Sequence, residues 1–236
     1  MTRSLALLIC LLSTIAWAAP PPGTGMMAGG VGNDSHTNLL VYSGTLGAVV
    51  FTDRSQAGRA ITTVGNVVSS NVQSKFEATS ILFDGTNDVL TLLNDTEWKP
   101  TGDFSYDFWI YPTVDATNRY CIFYFNSINF KYSNTQLQFL MYDGATNFIL
   151  LTAGAPTANV WQHWAVQRKG SSARLYVNGV PVATDATVAS VNQDSATYRI
   201  SGSAANSVFG YMQAVRYQEG ASPFPWGGFT PPNRGH

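Results

Sequence analysis

The side chains able to act as acids, bases, nucleophiles or metal ligands are few and scattered. Histidine occurs at His36, His163 and His236, and cysteine at Cys10 and Cys121. A Cys121–His163 pair is conceivable as nucleophile and base, but Cys121 lies in the apolar stretch from Tyr120 to Phe125, where a buried, inert thiol is expected. No HExxH, CxxC, phosphate-binding glycine loop or dinucleotide fingerprint is present. Glycosidic cleavage needs two carboxylates facing one sugar bond, roughly 5 Å apart for retention and 6.5–9.5 Å for inversion. Asp103 and Asp107 stand four apart, but on a stretch that reads as a structural strand. Asp84, Asn87 and Asp88 form an oxygen-rich group that suits a hard cation such as calcium and is equally well explained by a turn. Sugar recognition draws on aromatic faces combined with amide and carboxylate hydrogen bonds. The aromatic candidates for it are Trp98, Tyr111, Tyr132, Tyr142 and Trp226. Trp226 sits in Pro223-Phe-Pro-Trp-Gly-Gly228, where it reads either as a lid over the core or as a ligand platform.

Charge and composition exclude several partners. Thirteen basic residues against fourteen acidic ones give a net charge of -1, without the basic stripe that phosphate neutralisation requires. Nucleic acid is therefore not an expected partner, nor is a polybasic hold on a membrane surface. Serine, threonine and asparagine together number 59, more than twice the 27 charged residues, so the surface is built of hydroxyls and amides rather than ions. Aromatic residues make up 13% of the chain, enough for a large core.

Arg3 precedes an apolar run from Leu5 to Ile15 that ends in Ala16-Trp17-Ala18, the pattern of a secretory signal peptide cleaved after Ala18 or Ala19. The run is too short for a stable membrane span, which takes roughly twenty residues. Cleavage would leave Cys121 as the sole cysteine, so no internal disulfide is expected. Residues 19–37 are rich in glycine and proline and read as a flexible linker, residues 38–232 as one folded body, and residues 233–236 as a tail. A secreted or surface-displayed protein is expected, and Asn33-Asp-Ser35 and Asn94-Asp-Thr96 are glycosylation sequons for a eukaryotic route.

The elements that must position these residues read as strands. Leu39–Tyr42, Ser80–Phe83, Asp88–Leu92, Phe104–Tyr111, Tyr120–Phe125, Asn129–Tyr132, Gln136–Met141, Phe148–Thr152, Trp161–Arg168 and Ala173–Val177 are short apolar or alternating segments bounded by turn residues. In the fourth of these, Phe104, Tyr106, Phe108 and Ile110 share one face, while Asp107, Trp109 and Tyr111 share the other. Trp161 and Trp164 must point to opposite faces, with Trp164 beside Val166 expected in the core. Asn178-Gly179 predicts a tight hairpin between Leu175–Val177 and Val180–Val182. With no amphipathic helix of ten residues and no fixed repeat, the prediction is an all-β, antiparallel two-sheet sandwich.

Nine motifs occur in an order that resembles the laminin-G-like, concanavalin A-like lectin/glucanase jelly roll, in the version common in phage tail or virion proteins and bacterial surface proteins. They are Leu39-Leu40, Phe51-Thr-Asp-Arg-Ser55, Lys75-Phe76, Ser80 to Leu90, Gly102 to Pro112, Trp161 to Arg168, Leu175 to Gly179, Gly210 to Arg216 and Phe229-Thr-Pro-Pro232. The resemblance implies a structural role for His163, at the family's Trp-x-His position. Sandwich glucanases carry a Glu-x-Asp-x-x-Glu type pattern, and neither Glu77 nor Glu97 has acidic partners at that spacing. The resemblance therefore implies a non-enzymatic module rather than a glycoside hydrolase. Many such domains hold calcium, and Asp53 matches a frequent calcium position. Its usual acidic companion is replaced here by Gln213 in Gly210-Tyr-Met-Gln-Ala-Val-Arg216. The expected function is carbohydrate binding or adhesion, with a glycan as partner and calcium admitted as cofactor. The alternative is a structural part of a virion or surface assembly, with a protein partner docking on an exposed apolar patch.

Overall fold

A computed structural model describes residues 34–93, 98, 100–124, 128–142, 147–186, 197–202 and 205–233. The predicted signal segment, Glu97 and His236 lie outside these residues. Sixteen strands form two antiparallel sheets, and no α-helix occurs among the described residues. The first sheet runs β14 (Val180–Asp185), β13 (Ser172–Val177), β12 (Gln162–Lys169), β7 (Phe104–Pro112), β16 (Phe209–Glu219), β1 (Thr37–Tyr42) and β2 (Thr52–Asp53). Beside the first half of β16 lies β5 (Ser80–Asp84), which in turn pairs with β4 (Val68–Ser70). The second sheet runs β11 (Asn147–Gly154), β10 (Gln136–Tyr142), β9 (Ile128–Tyr132), β8 (Arg119–Tyr124), β15 (Tyr198–Ile200), β6 (Val89–Leu92) and β3 (Ile61–Val64).

The strand alternation dictates the core. Phe104, Tyr106, Phe108 and Ile110 of β7 are fully buried between the sheets, as their shared face predicts. Phe108 meets Phe130 of the second sheet edge-on at 5.0 Å, and Trp164 meets Tyr132 at 5.4 Å. Aromatic pairs at such separations add to the stabilisation that area burial supplies. Cys121 is buried in the same core, and burial pushes its thiol pKa up, away from thiolate chemistry. The Asn178-Gly179 hairpin forms with φ of 51° and 76°, the left-handed pair that a two-residue turn of this twist demands.

The folded body begins earlier than the predicted boundary at Asn38. The Asp34 carboxylate accepts hydrogen bonds from Thr37 and Gln218, and β1 starts at Thr37, so the last residues assigned to the linker are pinned to β16. At the other end Pro231, Pro232 and Asn233 lie beside the β13–β14 turn, where they border the cleft described below.

One irregularity in β16 bears on the site. Gln213 stands opposite Trp109, yet Arg216 rather than Val215 stands opposite Asp107, because a bulge inserts one residue between them. Ala214 takes φ of 55° at this bulge. The extra residue leaves Met212, Val215 and Tyr217 in the core and turns Arg216 toward Asp107.

Candidate functional site

The second face of β7 and β12 is polar at its centre and covered. Asp107 lies fully buried there; its Oδ1 accepts from Arg216 Nε at 2.8 Å, and its Oδ2 is 3.2 Å from His163 Nε2. A carboxylate held between a guanidinium and an imidazole is satisfied as a structural ion cluster. The Cys121–His163 pairing does not form: Cys121 belongs to the core between the sheets, and His163 faces Asp107 on the other side of its sheet.

The cover is the segment after β16. Gln167, fully buried, receives Phe224 N–H on its Oε1 at 3.1 Å and donates from Nε2 to Phe224 O at 2.8 Å, much as a neighbouring strand would. Phe224 and Phe229 stack on each other at 4.3 Å and pack against Tyr176, while Phe229 also meets the His163 ring edge-on at 5.7 Å. Phe229 N–H then donates to Gly179 O at 3.0 Å. Gly179 is required at this contact, since a Cβ there would lie 1.8 Å from Phe229 O.

Between this strap and a second loop opens a cleft of about 410 Å3, within the range of small-molecule sites. Trp109, Trp161 and Asn178 line it from the sheet and its hairpin turn, Lys75 and Phe76 from the loop before β5, and Pro231 to Asn233 from the strap. The loop is fastened by Gln213, whose Oε1 accepts from Lys75 N–H at 3.0 Å and whose Nε2 donates to Thr79 O at 3.0 Å. Phe76 meets Trp109 edge-on at 5.3 Å, and the Lys75 ammonium lies 4.5 Å from the centre of the Trp109 ring. Asn178 Oδ1 accepts from His163 N–H at 2.9 Å, which leaves its NH2 group without a partner among the described residues. The indole N–H groups of Trp109 and Trp161 are shielded from solvent and likewise have none among the described residues. Buried donors without acceptors are uncommon.

The residues named from sequence for glycan binding do not converge on this cleft. Trp98 and Tyr132 are corrected outright, because both are fully buried. Trp98 stacks on Tyr198 at 4.3 Å with its indole N–H donating to Leu93 O at 3.1 Å, and the Tyr132 hydroxyl donates to Phe209 O at 3.0 Å. Trp226 is half-buried, with the Arg174 guanidinium 4.4 Å from its ring centre and its backbone oxygen accepting from Arg174; it anchors the strap and does not line the cleft. Tyr142 ends β10 on the other sheet. Tyr111 comes nearest, packing edge-on against Trp161 at 5.8 Å without lining the cleft. Trp109, Trp161, Phe76, Lys75 and Asn178 were absent from that selection, although the opposite-facing positions of Trp109 and Trp161 were legible in the strand alternation.

The predicted calcium ligands do not fit the ion. Asp53 spends its carboxylate on four protein donors: Leu40 N–H and Ser55 N–H on Oδ1, and the Ser55 hydroxyl and Arg59 N–H on Oδ2. The Arg59 guanidinium lies 3.9 Å away, where a cation would be repelled, and Gln213 is committed to the loop. Asp84 accepts from Thr86 N–H at 2.8 Å, and Asp88 caps Asn66 N–H and Asp84 N–H at 2.6 Å each. Asn87 takes φ of 62°, so the turn explanation holds for all three. Burial pushes the Asp88 pKa up. No cluster of three acidic, histidine or cysteine side chains exists among the described residues. No carboxylate among the described residues lines the cleft, where a glycosidase would place an acid pair.

The profile of the family described as the concanavalin A-like lectin/glucanases superfamily matches residues 84–221, more than half of the chain. No curated protein matches the sequence. Among solved structures, the binding domain of Paraclostridial Mosquitocidal Protein 1 superposes with a TM-score of 0.66 at 11% identity, covering 80% of this chain and 50% of that one. The binding domain of botulinum neurotoxin DC in complex with SialylT gives 0.62 at 11% identity, over 80% and 49%. A botulinum neurotoxin type C structure, whose title ties cell entry to two ganglioside molecules, gives 0.61 at 11% identity over the same shares of 80% and 49%. The chain thus spans about half the length of these structures, and at such identity the likeness is one of fold.

Proposed function

The chain belongs to the concanavalin A-like lectin/glucanase superfamily, and from that premise we propose that it is a non-enzymatic carbohydrate-binding module, secreted or displayed on a surface, whose ligand seats in the cleft over Trp109 and Trp161. The observation that carries this reading is a cleft of about 410 Å3 lined by two tryptophans, an exposed asparagine amide and apolar proline surface. Half-buried Trp161 supplies an aromatic face for a sugar ring, and the Asn178 amide and Lys75 ammonium supply orientation. The fold relatives support the class, since they are binding domains and one is a complex with a sialylated ligand. A glycan array probed with the wild-type chain and with Trp161→Ala tests it. Binding by the wild type that is lost in the variant, at an unchanged melting temperature, is expected. Silence of the wild type across the array overturns the reading, as does equal binding by both proteins.

A second reading, docking onto a protein assembly, has one observation in its favour. Leu46, Val49 and Val50 are exposed on a loop tied to β4 through Ser69 and to β3 through Thr63, close to exposed Val64 of β3. Singly exposed aliphatic residues need no explanation, whereas a contiguous group of them suits a partner surface. Loss of glycan binding together with co-assembly through this end of the sandwich would favour it.

A further inference from the structure

We propose that the cleft selects an anionic saccharide and that Lys75 reads its acidic group; this deepens the carbohydrate reading and rests on it. The argument is an inventory of donors and acceptors. The side chains lining the cleft offer the Lys75 ammonium and the Asn178 NH2, whose own oxygen is already occupied by His163 N–H. Asn233 brings one amide oxygen, and no carboxylate among the described residues lines the cleft. Neutral sugar hydroxyls donate as well as accept, and a site for them answers with acceptors from side chains or backbone carbonyls. A carboxylate or a sulfate ester accepts only, and it suits side-chain donors that include an ammonium and meet no carboxylate among the described lining residues.

Charge points the same way. Lys75 is the one ionic group among the described lining residues, it is exposed, and it makes no ion pair among the described residues. Glu77, two positions along the loop, faces Arg54 at 4.0 Å, and Asp107 beneath the sheet surface is compensated by Arg216. An incoming anion therefore displaces no carboxylate from Lys75. The Gln213 clamp on Lys75 N–H fixes the backbone from which the ammonium reaches over Trp109, so charge and aromatic face are presented together.

The test uses the full chain and a panel of matched oligosaccharides in three arms: neutral, carboxylate-bearing and sulfated. Dissociation constants are measured at low and high salt for the wild type, Lys75→Ala and Lys75→Arg, with melting temperatures as the folding control. The expected result is binding in one or both acidic arms and not in the neutral arm, weakening as salt rises. Lys75→Ala should reduce it about tenfold or more, the worth of one partly desolvated charge contact, and Lys75→Arg should retain most of it. Which acidic arm binds identifies the source of the anion. Equal or preferential binding of neutral saccharides overturns the anionic assignment and leaves the carbohydrate reading standing. Acidic binding untouched by Lys75→Ala overturns the role of Lys75. Failure of all three arms overturns both readings.

Discussion

Asn in place of Asp107 keeps the shape of the side chain and removes one charge from a fully buried cluster. Arg216 Nε, 2.8 Å from Asp107 Oδ1, then faces a neutral amide, and its fully buried guanidinium loses the charge that Asp107 supplied. Breaking a buried pair from one side typically destabilises by ~3–5 kcal/mol, because the desolvation of the remaining ion is no longer offset. For a domain of this size each kcal/mol lowers the melting temperature by ~2–4 °C, so Asp107→Asn should melt roughly 6–20 °C lower than the wild type. Thermal and urea unfolding of the same samples measure it. The companion variant Asp107→Asn/Arg216→Met removes both charges and should recover a substantial part of the loss, since the penalty lies in the stranded guanidinium. A drop of less than about 2 °C for Asp107→Asn, or a double variant as unstable as the sum of the singles, would refute the assignment of a structural ion cluster. Hydrolysis of β-glucans by the wild type that vanished in Asp107→Asn at an unchanged melting temperature would instead make Asp107 a catalytic acid and overturn the non-enzymatic reading.

Two further outcomes follow from the strap and the metal analysis. Gly179→Ala must place a Cβ 1.8 Å from Phe229 O at φ of +76°, so the strap should lift from the hairpin turn at a cost of ~1–3 kcal/mol. Faster proteolytic cleavage within residues 225–233 would report it, and wild-type protection would show that the strap is held elsewhere. Removing calcium with EDTA should leave the melting temperature within about 1 °C, because Asp53 is saturated by protein donors. A several-degree stabilisation on adding calcium would reveal a ligand set not assembled from the five predicted residues.

The fold was legible because its information is local. Alternation assigned both faces of β7, placed Trp164 inside and Trp161 outside, and the Asn178-Gly179 dipeptide marked its hairpin turn. The short strands β2, β3, β4 and β15 carry only two to four residues each, too few for alternation to be recognised, and they exist because longer neighbours pair with them. The site was legible only in part. Tryptophan and tyrosine read alike as ligand platforms or as core, and no local signal distinguishes Trp98, which the second sheet covers, from Trp161, which it does not. The cleft joins residue 75 to residues 161, 178 and 233, an encounter fixed by sheet order and by the path of the strap. The bulge at Ala214 was equally hidden, although it decides that an arginine rather than a valine meets Asp107.

The position of β16 carries a consequence for how the chain reaches its native state. It is the last strand in sequence, yet it lies between β7 and β1 and also pairs with β5. Until residues 209–219 are available, β1 and β7 present open edges and the aromatic core lacks Met212, Val215 and Tyr217. Closure joins segments more than a hundred residues apart, as in Arg216 with Asp107 and Gln218 with Thr37, so chain-closure entropy must be met before these contacts form. Such a topology folds slowly and late relative to synthesis.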